Sequence, residues 1–229
     1  METLHDYYEN LAPNYDQDRF ANSYGQYVDR MERGLLSLWL SSRAPASVVE
    51  LGCGTGRFLN FAMTGVDSSA AMLAEAGKKW PDRILHHADA AHTGLVQQAF
   101  DTALCFHLLM HLDEASRKAI FQEAARLVRP GGSFIFDIPS KPRRDLSARR
   151  ATGWHGNLSG SLADIRSWGG GAWRLKRWRG VLFFPVHHIP SSWRKYIEPL
   201  DRLICCTPLA RWASYYVCEF EWVENAGGE

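Results

Sequence analysis

Four places in the chain hold residues whose types and spacing could do chemistry, and each lies where a short apolar run stops. Gly52-Cys53-Gly54-Thr55-Gly56 follows residues 47–51, Asp67 follows 63–66, Asp89 follows 84–87, and Phe106 and His107 end the run 100–106. Glycines let a backbone approach a ligand closely and take positive φ, which a side chain would hinder. An acid at the end of a second strand suits the two hydroxyls of a ribose. An acid after the third could accept a hydrogen bond from an adenine amino group. Singly, each has a plainer use: a glycine turn tightens a corner, and a strand-end Asp caps a helix. Together and in this order they describe a nucleoside-binding crevice.

The spacing separates kinds of nucleoside. A dinucleotide turn reads G-x-G-x-x-G, whereas this one reads G-x-G-x-G and is preceded by Glu50. A fixed carboxylate there would repel a diphosphate and attract a sulfonium or ammonium group. The expectation is a cationic adenosyl ligand rather than NAD.

The elements that must position these residues alternate. Residues 47–51, 63–66, 84–87, 100–106 and 134–138 read as strands. Ser68 or Ser69 caps a helix over 70–80, Asp113 caps another that runs to residue 128, and Arg129-Pro130-Gly131-Gly132 ends it. Such alternation means a mostly parallel sheet covered on both faces, with ligands at the carboxyl ends of the strands. Ten residues separate Gly56 from Asp67, so a helix at 57–62 has at most about two turns. The sheet edge there is expected either to be more mobile or to be covered by the N-terminal helix, 24–40. Beyond residue 140, a basic connection (141–150) leads to a strand at 173–184 and a last, antiparallel strand at 214–223. Between those two strands, 185–211 reads as an insertion.

The chain has 229 residues, 46% hydrophobic and 22% charged, with a formal net charge of +1. These values fit a folded globular protein and exclude disordered and fibrous classes. No apolar stretch is long enough to span a membrane, and no basic-then-apolar leader opens the chain, so the expected compartment is the cytoplasm. Residues 1–140 carry 17 acids against 12 bases, and the remainder 14 bases against 8 acids, with seven of the nine Trp after residue 150. The near-neutral total argues against a general polyanion, so nucleic acid is not the expected partner. The five Cys and nine His show no ligand spacing, so no metal is expected.

Several stretches resemble a known family: VVELGCGTGRFL at 48–59, GVDSSAAML at 65–73, ADA at 88–90, FDTALCFH at 100–107 and LVRPGG at 127–132. They look like the successive motifs of class I S-adenosylmethionine-dependent methyltransferases, most of all the small-molecule branch with the ubiquinone/menaquinone-type enzymes. The resemblance implies a Rossmann-like, doubly wound, seven-stranded and mostly parallel sheet with an antiparallel last strand. It implies one domain over 1–229: a helical lid (1–45), a cofactor core (46–140), an acceptor cap including the sixth strand (141–213) and the last strand (214–223). S-adenosylmethionine would be the cofactor and S-adenosylhomocysteine the product. Tyr15, Arg19, Glu50, Gly52, Cys53, Gly54, Gly56, Asp67, Ser68, Met72, Asp89, Ala90, Phe106 and His107 would surround it, with Arg19 paired to the methionine carboxylate.

His107 and His111 are the candidate bases, because imidazole titrates near working pH. Trp154, His187, His188, Trp193 and Tyr196 are candidates for an aromatic acceptor pocket, the acceptor being a small hydrophobic or aromatic metabolite methylated on oxygen or nitrogen. The alternatives are a nucleic-acid methyltransferase using the basic second part and an adenosyl-binding protein without turnover. The sequence leaves the oligomeric state open.

Overall fold

The protein is described by a computed structural model covering residues 4–147 and 158–223. The strands are β1 (Val48–Leu51), β2 (Thr64–Asp67), β3 (Ile84–His87), β4 (Phe100–Cys105), β5 (Val128–Pro139), β6 (Trp173–Val181) and β7 (Tyr215–Trp222). They form one sheet in the order β3-β2-β1-β4-β5-β7-β6. The first five run parallel, and β7 is antiparallel to both β5 and β6. The helices are α1 (Leu4–Leu11), α2 (Tyr15–Phe20), α3 (Ser23–Trp39), α4 (Ala70–Lys79), α5 (Glu114–Leu127), α6 (Lys141–Ser147), α7 (Leu162–Trp168) and α8 (Ser191–Ile204). None of the described helices is long and apolar enough to cross a membrane.

Local signals explain most boundaries. Ser69 Oγ accepts from Met72 N at 3.1 Å and starts α4, and Asp113 Oδ1 accepts from Ser116 N at 2.8 Å and starts α5. Asn22 Oδ1 accepts from the Tyr24 and Gly25 amides and starts α3. Each removes a donor that a helix N-terminus would otherwise leave unsatisfied. The apolar strands β1 and β4 are buried on both faces, as a parallel sheet requires. One core layer joins α3 and α4 to the sheet through Tyr27, Leu36, Phe58 and Leu73, and the other joins α5 and α7 through Ile120, Phe121 and Ile165.

Residues 57–62 are turns, not the short helix expected from the sequence. The crossover is too short for a helix to span the sheet and return. Its carbonyls are satisfied by side chains from elsewhere: Trp80 Nε1 donates to Gly56 O and Arg83 Nε to Leu59 O, both at 2.7 Å, and Arg33 reaches Arg57 O. The helix layer missing here is supplied by α3, whose Tyr27, Met31 and Trp39 pack with Phe58, Leu59 and Ala62. Trp80→Phe keeps an aromatic ring at the position, smaller than the indole, and removes the donor. It is expected to cost about 1–2 kcal/mol, read as a lower urea midpoint with an unchanged m-value; an unmoved midpoint would deny the Gly56 bond any structural weight.

Two other boundaries differ from the sequence expectation. β5 begins at Val128, six residues earlier than 134, because Val128 already pairs with Phe100 of β4; residues 129–132 then bulge out of the ladder before Ser133 resumes it opposite Thr102. β6 stops at Val181, where Leu182 takes φ +62° and turns the chain out of the sheet.

Candidate active site

The carboxyl ends of β1 to β4 open on one cavity of about 570 Å³, at the point where strand order reverses between β1 and β4. Its lining includes Tyr15, Gly52, Gly54, Asp67, Ser68, Met72, Asp89, Ala90, Phe106 and His107. Gly52 and Gly54 have φ +69° and +53°. A Cβ at Gly54 would meet nothing within 4 Å, so the turn leaves open space above its backbone. A Cβ at Gly52 would come within 2.7 Å of Leu108 Cδ2. Asp67 accepts from Gly54 N at 2.7 Å through one oxygen and from Ser69 N at 2.9 Å through the other. This carboxylate therefore shapes both the glycine turn and the start of α4 while facing the cavity. Asp89 Oδ1 accepts from Ala91 N at 2.7 Å, which fixes the loop beside Ala90.

The remaining sequence candidates lie elsewhere. Cys53 is buried beneath the turn, and Gly56 is held by Trp80. Arg19 is exposed, donates to Tyr7 Oη at 3.0 Å, and does not line the cavity. Glu50 is 2% exposed, with Oε2 lacking any hydrogen-bond partner, and it too is absent from the lining. Burial pushes its carboxyl up to about 8, so at pH 7 it holds a proton and is not the fixed charge inferred from the sequence. His187 and His188 are exposed and stack on each other with centroids 4.1 Å apart. Trp193 and Tyr196 are 64% and 69% exposed on the outer side of α8. None of these four reaches the cavity; His187 and His188 precede α8, which packs against α3 through its polar face and turns Trp193 and Tyr196 outward. Trp154 lies outside the described residues.

Sequence reasoning missed part of the site. Tyr8 lines the cavity from α1, its ring against Tyr15 at 6.1 Å and its hydroxyl 3.3 Å from His111 Nε2. Leu112 and, from α5, Ala115, Ala119 and Ile120 give the cavity an apolar wall. His107 takes φ +55°, and its amide donates to Asp137 Oδ1 at 2.6 Å. Its ring lies between two buried carboxylates, with Nε2 3.0 Å from Glu32 and Nδ1 3.4 Å from Asp137. Glu32 also meets Arg57 Nη1 at 2.7 Å. Burial opposes charge on the imidazole, but Glu32 and Asp137 outweigh it and hold the His107 pKa above its ordinary value. Burial works the other way on Glu32, yet His107 and Arg57 bring it down to about 2. With both nitrogens turned toward carboxylates, the ring presents no free lone pair to the cavity. That corrects the assignment of His107 as a general base. His111, directed at Tyr8, braces the cavity wall.

Residues 49–136 match the methyltransferase-domain family. That stretch is a class I S-adenosylmethionine-dependent methyltransferase domain. The tRNA (carboxymethyluridine(34)-5-O)-methyltransferase of Arabidopsis thaliana is 26% identical over 195 residues, covering 82% of this chain and 45% of that protein. The trans-aconitate 2-methyltransferase of Methylobacterium nodulans is 32% identical over 129 residues, 52% of this chain and 49% of that one. The chain thus spans about half the length of these curated relatives. Among solved structures, the magnesium protoporphyrin IX methyltransferase of Synechocystis shares the fold with a TM-score of 0.64 at 17% identity, over 96% of this chain and 98% of that one. The methyltransferase cofactor is S-adenosylmethionine, and the residues present fit it. The cavity offers a glycine turn without side chains, a carboxylate for a ribose, and apolar lining at Met72, Ala90 and Ile120 for a flat base.

Proposed function

We propose that this protein transfers the methyl group of S-adenosylmethionine to an oxygen or nitrogen of a small hydrophobic or aromatic acceptor. The observation that carries the reading is the single cavity in which the Gly52–Gly54 turn, Asp67, Asp89 and Phe106 meet at the strand ends. Bound there, the cofactor supplies an electrophilic methyl carbon on a sulfonium. Asp67 would hold the ribose hydroxyls, Asp89 and the Ala90 backbone the adenine edge, and the Gly54 turn the amino-acid end. Tyr8, Tyr15 and Phe106 would exclude water. The protein's work in an in-line displacement is mainly to place the acceptor about 3–3.5 Å from the methyl carbon. His107 would then tie α3 to the strand ends through Glu32 and Asp137 rather than act as a proton acceptor. The cytoplasm is the compartment proposed for it, in keeping with five Cys that are all free thiols.

A nucleic-acid acceptor is the second reading, favoured by the relative that acts on tRNA and covers 82% of the chain. One experiment addresses both. The protein is incubated with methyl-labelled S-adenosylmethionine and a cell extract divided into a small-molecule fraction and an RNA fraction, and the labelled product is identified by mass. Label in a small molecule is the expected result. Label in RNA alone would overturn the small-molecule reading, and no label in either, with cofactor bound, would leave an adenosyl-binding protein without turnover.

A further inference from the structure

Helix α5 separates two cavities. Ala115, Ser116, Ala119 and Ile120 face the cofactor cavity, whereas Arg117, Lys118 and Phe121 face another of about 860 Å³, walled on its far side by α7 and the start of β6. Arg117 is 4% exposed, and its Nε and Nη1 are buried without a hydrogen-bond partner among the described residues. Its guanidinium carbon lies 4.4 Å from the centroid of Trp168 and 5.7 Å from that of Phe121. Stacking on aromatic rings returns only about 2 kcal/mol of the cost of burying a cation, and donors left without acceptors are costly as well.

The acids on the wall are engaged elsewhere. Glu114 meets Lys118 at 2.7 Å, and Asp164 is closed into a capping box with Ser161. Arg117, Lys118 and Lys141 against Glu114 and Asp164 leave one positive charge in excess along the lining.

We propose that this cavity binds a small organic monoanion, a carboxylate on an apolar or aromatic body. The carboxylate accepts from the unpartnered Arg117 donors, and the body lies along Phe121, Trp168 and Ala172. One negative charge matches the single excess cation, and the aromatic wall favours a flat, apolar body over a bare ion. Because α5 stands between this cavity and the strand ends, the ligand here is neither cofactor nor methyl acceptor. The proposal holds whether or not the protein methylates a small molecule.

The test titrates the full chain with benzoate, and separately with acetate and inorganic phosphate, following thermal unfolding and tryptophan fluorescence. Benzoate is expected to bind saturably and, at about ten times its Kd, to raise Tm by about 3–6 °C. It is expected to bind more tightly than acetate or phosphate. Arg117→Met keeps the length of the side chain and removes the charge. It is expected to raise the Tm of the unliganded protein, to weaken benzoate at least about tenfold, and to leave S-adenosylhomocysteine affinity unchanged. The proposal is overturned by the absence of saturable benzoate binding or by equal benzoate affinity in the two proteins. A lower unliganded Tm for Arg117→Met would also overturn it, since the guanidinium would then be a structural brace. Tighter binding of phosphate than of benzoate would reject the carboxylate assignment.

Discussion

Glu32→Gln is expected to lower the free energy of unfolding by about 3–5 kcal/mol near pH 6, because it breaks a fully buried ion pair while leaving its partners in place. Glu32 is 0% exposed and is the residue that both Arg57 and His107 address. Arg57 retains only Asp29, at 3.2 Å, and the faces of Phe20 and Phe58; His107 retains Asp137. The pH dependence distinguishes this network from ordinary packing. The folded-state pKa of His107 is raised. Its contribution is therefore complete below the ordinary value of about 6.5 and is lost as pH rises through the elevated one. Glu32 is lowered to about 2, so its contribution is present above its unfolded value of about 4.3 and disappears as pH falls toward 2. The gap between wild type and variant should be widest from about pH 4.3 to 6.5 and narrow on both sides. Glu50, whose raised pKa makes the protein less stable as pH climbs toward 8, acts on both proteins alike and cancels in the difference. Urea unfolding at a series of pH values measures the gap, and a constant one would remove His107 from the network.

The second large effect concerns the cofactor. Asp67→Ala should reduce S-adenosylhomocysteine affinity by about a hundredfold or more, measured by calorimetry. Hydrogen bonds to a charged group are worth about 1.5–3 kcal/mol each, and a carboxylate facing a ribose would make two. Its loss also frees the Gly54 and Ser69 amides, so the turn beneath the ligand loses its anchor. Arg19→Ala removes an exposed contact with Tyr7 and no cavity wall, and should change the affinity less than about twofold. If instead Arg19→Ala costs more than Asp67→Ala, the N-terminal segment rather than the strand end grips the cofactor.

What the sequence made legible follows a physical division. Residues fixed by local backbone geometry could be read directly: the Gly52–Gly56 turn, the Asp67 strand end, the Ser69 and Asp113 caps, and the alternation that produces the parallel sheet. Glu50 was misread because its burial depends on packing from both sides of the sheet, and burial is what turns a charge into a proton-bearing acid. The ionic network around His107 was invisible for a related reason. Glu32, Arg57, His107 and Asp137 are far apart in the chain, and only α3 lying across the strand ends brings them together. Trp193 and Tyr196 misled in the opposite sense, since a stripe of aromatic residues on an amphipathic helix reads as a pocket wall or a core face, yet the charged side of α8 is the one that docks. Tyr8 and the α5 wall carry no motif. They line the cavity because of where their helices end.

The use of α3 in place of a crossover helix also bears on the order of assembly. α3 precedes every strand of the sheet in the chain, but its core layer includes Val181, Leu182 and Val217. Its Tyr27 hydroxyl donates to Asp201 across 174 residues of chain, at 2.8 Å. A growing chain can therefore form this helix before any strand and finish docking it only once β6, α8 and β7 have been made. Contacts of such sequence separation slow folding, because a long loop must close before they form. Until then the apolar side of α3 and the helix-free connection beneath it remain open to solvent, and to the hazards of premature association that accompany late closure.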